Sequence, residues 1–131
     1  MSSEQKNKAL VCRFVEAQST GDLETLDELL APDFVDYDLL PGQDPGREGY
    51  MQGIAEDQAA FSDIRTTMEY QAADSDMVIT RLTTRTIHDR GTNLGMAPTG
   101  RERERKAIVM NHIAGGKIAE EWSAGEIGSL L

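Results

Sequence analysis

The chain has 131 residues, with 23 acidic and 13 basic side chains and a net charge of −10 at pH 7. That length suits one domain spanning 1–131 that buries a core of its own without a disulfide or metal staple. The acid excess falls on residues 1–63, which hold 14 Asp/Glu against 4 Lys/Arg, so a phosphate backbone is repelled and no nucleic-acid partner is expected.

The single cysteine, Cys12, excludes an internal disulfide and fits a reducing, cytoplasmic setting. The start MSSEQKNKALV is too polar for a signal peptide. No apolar run approaches the roughly 18 residues of a membrane span.

Residues 4–19 place Leu10, Val11, Phe14 and Val15 on one stripe, which predicts a helix. Gly21 ends it and Asp22 caps a second helix over about 22–31, with Leu23, Leu26, Leu29 and Leu30 on one face and Pro32 as its stop. The segment PDFVDYDLLPGQDPG reads as a loop, because it holds three prolines and two glycines. A third helix over about 46–61 turns Tyr50, Met51, Ile54 and Phe61 inward.

From residue 63 the composition shifts to Thr, Ile, Val and Met. Strands are predicted over 63–73 and 77–88, joined by a turn at Asp74-Ser75-Asp76. After a glycine-rich loop at 89–100, a last hairpin pairs 103–113 with 117–124. Helices followed by a run of antiparallel strands give an α+β fold. Helices laid across a curved sheet leave a conical pocket for a small ligand.

The last hairpin sets the pocket wall. With Ala114-Gly115-Gly116 as a three-residue loop, Ala107, Val109, Asn111 and Ile113 share a face with Lys117, Ala119, Glu121 and Ser123. That face is small and polar and is assigned to the pocket. The other carries Ile108, Met110, His112, Ile118, Glu120 and Trp122; its apolar members are expected to make a homodimer face. A two-residue Gly-Gly turn shifts the register.

Four segments, GDLETLDELLAPDFVDYD, PGREGY, GMAPTGRE and GGKIAEEW, in this order and spacing resemble the SnoaL-like polyketide cyclases of the nuclear transport factor 2-like superfamily. The resemblance implies a helix-lidded conical sheet, often a homodimer, and in its best-known members cofactor-free aldol ring closure. It also implies a general-acid Asp at the position of Ser123 and an assisting His at that of Val109. It sets Asp36, Tyr37 and Asp38 at the pocket mouth.

Glu121, two residues before Ser123 on the same face, is the candidate replacement acid, because a carboxyl in an apolar cavity holds its proton to higher pH. Asp36, which with Asp38 flanks Tyr37, is the second candidate catalytic residue, since paired carboxylates can share acid and base roles. Asn111, Ser123, Tyr37, Val109 and His88 are the candidate ligand-binding residues, His88 as a rim residue beside Asp89.

Arg103 and Arg105 fall on the pocket side and admit an anionic ligand. No spacing of His, Cys or carboxylate suggests a metal, and no phosphate loop or dinucleotide motif is present, so no cofactor is expected. The function these residues suggest is a cofactor-independent cyclase, isomerase or lyase acting on a small, largely apolar carbonyl compound. The alternative is a non-catalytic ligand-binding domain of the same fold.

Overall fold

A computed structural model describes residues 2–125. Three helices, α1 (Ser3–Thr20), α2 (Leu23–Leu29) and α3 (Arg47–Ala60), pack on a sheet of five strands: β1 (Leu30–Asp36), β2 (Phe61–Asp74), β3 (Met77–His88), β4 (Glu102–Ala114) and β5 (Lys117–Gly125). The sheet order is β1-β5-β4-β3-β2. Every pairing is antiparallel except that of β1 with β5. The α+β class and helix-on-sheet architecture expected from the sequence are present. Among the described residues no helix is long and apolar enough to cross a membrane.

Local chemistry explains the helix ends. Ser2 and Gln5 close a capping box on α1, and Gly21 ends it in the left-handed region at φ 70°. Asp22 then caps α2, its Oδ1 accepting the Thr25 N–H at 3.1 Å and its Oδ2 the Thr25 hydroxyl at 2.7 Å. Asp22→Ala removes both acceptors and is expected to lower the urea midpoint. A urea midpoint that does not move would contradict that role.

The core gathers Val11, Phe14 and Val15 of α1 with Leu26 and Leu29 of α2 against Phe34, Val78, Ile113 and Ile118 of the sheet. Phe14 stacks on Tyr50, and Phe34 meets the same ring edge-on.

One expectation fails at 30–36. This stretch is a strand, not the end of a helix and the start of a loop. Pro32 is tolerated because β1 lies at the sheet edge, where a missing N–H breaks no ladder bond. Its partner β5 is remote in sequence, and the register jumps from Leu30↔Ile118 to Val35↔Glu120 around Pro32. Phe61 likewise opens β2 rather than closing α3.

The last hairpin also differs. Its turn is the two-residue Gly115-Gly116, both with positive φ, so Ala114 faces Lys117 and Ile113 faces Ile118. Carried on unchanged, that register would put Glu120 and Trp122 inside. A bulge at Ala119 restores the count, and beyond it Asn111 faces Glu121 and Val109 faces Ser123. Ile118 is therefore fully buried in the core, not on the outer face, and Ala119 turns outward. Further register shifts in β2, after Ser62 and after Met68, add to the bending of the sheet around α1.

Candidate functional site

The concave face of the sheet, α3 and the segment 38–44 enclose a cavity of about 280 Å³. Its floor runs along β4 through Val109, Ala107, Arg105 and Arg103, flanked by Ser123 and Glu121 of β5 and by Leu82, Thr84 and Thr86 of β3. Small residues at 107 and 123 leave this space open.

Two carboxyls meet at one end. Asp36 and Glu121 are register partners on the parallel strands β1 and β5, both line the cavity, and both are only 7% exposed. Burial lifts the Glu121 carboxyl from its ordinary 4.5 to about 8, and the neighbouring Asp36 charge adds to that. Asp36 is also raised by burial, but it accepts hydrogen bonds from the Asp38 backbone N–H at 3.0 Å and the Gln43 amide at 2.8 Å, which favour its charged form. Glu121 receives a hydrogen bond from Tyr50, whose hydroxyl in turn accepts one from Gln18. Among the described residues the buried Glu121 Oε2 has no hydrogen-bond partner, nor has the Asn111 Oδ1 on the residue paired with it.

Farther along the floor, Asp57 of α3 is lifted by burial to about 6, with Glu56 pushing the same way and Arg105 and Asn93 opposing. Among the described residues no three His, Cys, Asp or Glu side chains come together in a metal-binding arrangement.

Of the residues singled out from the sequence, Glu121, Asp36, Ser123 and Val109 line the cavity. Asn111 lies behind the wall, 1% exposed, its amide N–H 3.5 Å from the Glu120 carbonyl. Two placements are corrected. Tyr37 does not face the cavity: it stacks on Trp122 and donates to Glu120 at 2.6 Å on the outer surface, half exposed. His88 is not a rim residue paired with Asp89, which binds Ser62 instead. His88 is fully buried against Phe61. Its Nδ1 accepts from the Arg103 guanidinium, so the hydrogen sits on Nε2 and is donated to the Gly91 carbonyl at 2.6 Å.

Tyr50, Gln18 and Asp57 were not anticipated as part of the site. Tyr50 was legible as an inward residue of α3. A buried phenol needs a hydrogen-bond partner, and that requirement is the signal pointing to Glu121.

Among solved structures, TsrD from Streptomyces laurentii matches with a TM-score of 0.87 at 23% identity, covering 99% of this chain and 95% of that one. AclR, a proposed hydroxylase from Streptomyces galilaeus, gives 0.83 at 24% identity over 98% and 95%. Both likenesses concern the fold. IdmH, a proposed polyketide cyclase from Streptomyces antibioticus, gives 0.78 at 32% identity over 95% of this chain and 97% of that one. No curated protein matches in sequence. The family model described as SnoaL-like polyketide cyclase matches residues 8–127, and with that extent of match, on a sheet of this topology, the chain belongs to the SnoaL-like polyketide cyclase family.

Proposed function

We propose that the chain is a cofactor-independent enzyme of the cyclase, isomerase or lyase type that moves protons on a small carbonyl compound held in the conical cavity. The observation that carries this reading is the Asp36–Glu121 pair: two buried carboxyls side by side on the cavity wall, in unlike surroundings. Asp36, with two N–H donors, is the ionised member and acts as base. Glu121, with burial working against its charge, is the protonated member and acts as acid. A proton on Glu121 also supplies a donor where the Asn111 and Glu121 oxygens have none. Asp36 takes a proton α to the carbonyl, the C–H electron pair moves toward the carbonyl oxygen, and Glu121 delivers its proton there. Ser123 and Val109 shape the wall.

The test is proton exchange. The protein is incubated in deuterated buffer with aryl ketones bearing α-hydrogens, and deuterium uptake is followed by NMR. Uptake above the buffer rate is the expected result. A second reading, a domain that binds such compounds without catalysis, is favoured by the absence of carboxyl and imidazole at Ser123 and Val109, both on the cavity wall. Binding with no exchange would establish that reading over the first.

The outer sheet face supports a homodimer. Ile108 is 52% and Ile79 43% exposed there, beside the partly exposed Met110 and Trp122. Light scattering is expected to give a dimer and Ile108→Glu a monomer; a wild-type monomer at micromolar concentration would overturn the assignment. The unpaired, half-buried Cys12 fits a cytoplasmic setting.

A further inference from the structure

The cavity floor holds two arginines in unlike states. Arg103 is engaged: its Nη2 donates to His88 Nδ1 at 3.1 Å, and His88 is itself fixed by Phe61 and Gly91. Arg105, one pleat farther in, is different. It lines the cavity half-buried, and among the described residues its enclosed Nε has no hydrogen-bond partner. Among the described residues its guanidinium makes no hydrogen bond or ion pair. A guanidinium is always charged and carries five donors in a planar fork. Buried charges are ordinarily paired, so one that faces an open space unpaired indicates a partner that enters that space.

The acidic groups nearby do not fill this role. Asp36 and Asp38 are engaged with the Asp38 and Ser123 backbone N–H groups and with Gln43. Glu121 is occupied by Tyr50 and kept neutral by burial. Asp57 feels the Arg105 charge, yet it is not within ion-pair distance and takes a hydrogen bond from Asn93. The cavity is thus polarised lengthwise, with an acid–base pair at one end and an unsatisfied planar cation along the floor.

We propose that Arg105 binds a carboxylate carried by the ligand, so that the cavity takes keto acids with the ketone toward Asp36 and Glu121 and the carboxylate on the guanidinium. This deepens the proton-transfer reading above and rests on it only for the orientation of the ketone. A carboxylate matches the guanidinium fork with two parallel N–H···O bonds, which are stronger than neutral ones.

The test compares 4-oxo-4-phenylbutanoate with its methyl ester, which share a skeleton and differ in the charge. Binding of each is measured by calorimetry to the wild type, Arg105→Met, Arg105→Lys and Glu121→Gln. The acid is expected to bind the wild type at least about 10-fold more tightly than the ester, with Arg105→Met weakening the acid about 10–100-fold and the ester hardly at all. Arg105→Lys should restore part of the preference, as a point charge without the fork.

Glu121→Gln should still bind the acid more tightly than the ester, because the guanidinium is untouched. In the wild type, carboxylate binding without any proton exchange would refute the catalytic reading and leave this one standing. Equal affinity for acid and ester, no binding of the acid at millimolar concentration, or an Arg105→Met protein that still prefers the acid would each overturn the proposal. So would an Arg105→Met protein that loses only exchange rate with the ester, since that would assign the guanidinium to the reaction's own oxyanion. Thermal melts of both Arg105 variants confirm that the comparison is between folded proteins.

Discussion

Glu121→Gln is expected to lower the rate of enzyme-catalysed α-proton exchange by about 10²–10⁴-fold, the range a positioned general acid or base contributes. Gln keeps the shape of the protonated acid and can still accept from Tyr50, but it has no proton to give at neutral pH. Asp36→Asn should act comparably, because it removes the base and leaves the acid without its partner. The two losses should not add, since each residue is useful only through the other.

The pH profile separates the roles. If Glu121 is the acid, the rate falls as pH rises through its pKa of about 8, where the proton is lost. Because the two carboxyls are register partners, the rising and falling limbs belong to the pair rather than to either residue alone. A Glu121→Gln protein with unchanged exchange rate and an unchanged alkaline limb would remove Glu121 from the mechanism.

What the sequence revealed and what it hid divide along a physical line. Gly21 and Asp22 were legible because capping is a transaction between near neighbours, settled within four residues. That the chain reverses near Gly115 and Gly116 was legible for the same reason; that the turn has two residues and not three was not. The strand at 30–36 was not. Its hydrogen bonds go to β5, some 85 residues later, and its prolines and aspartates carry a loop's composition. Only the sheet edge makes Pro32 acceptable.

The bulge at Ala119 was equally hidden. Alternation placed Glu121 inside with a three-residue loop and no bulge. The protein reaches the same orientation with a two-residue turn and a bulge, two differences that cancel beyond residue 119 and not before it. Ile118, between them, is where the sequence reading and the fold part: it is in the core. Tyr37 misled because its neighbours Asp36 and Asp38 line the cavity while its own ring turns out to Trp122. His88 misled because the end of β3 is covered: its ring is fully buried against Phe61.

The second large effect is on stability, and its sign follows from which state holds the proton. The folded protein keeps Glu121 protonated to about pH 8, whereas the unfolded chain releases that proton near 4.5. Between those values the folded state binds the extra proton, so stability falls as pH rises, by about 1.4 kcal/mol per unit for one such group. Asp57, held at about 6 by burial against an ordinary 3.8, adds its share at the lower end of the window and is spent above pH 6. From about pH 6 to 8 the slope is therefore shared by the Glu121–Asp36 pair and by His112, whose imidazole is raised by its hydrogen bonds to Glu120 and Asp76; Glu121→Gln removes only the first share.

Glu121→Gln deletes the titrating group while preserving its volume and the hydrogen bond from Tyr50. Near pH 6 the variant should already lead the wild type by about 2 kcal/mol, because the unfolded wild type has been ionised over the roughly 1.5 pH units above 4.5. Near pH 8.5 the lead should widen by a further few kcal/mol, because the wild type then carries a buried carboxylate beside Asp36. Urea midpoints at the two pH values decide the matter. Wild-type and variant stabilities that run parallel from pH 6 to 8.5 would mean that Glu121 is ionised and solvated throughout, and a solvated carboxylate cannot be the acid that the exchange reaction requires.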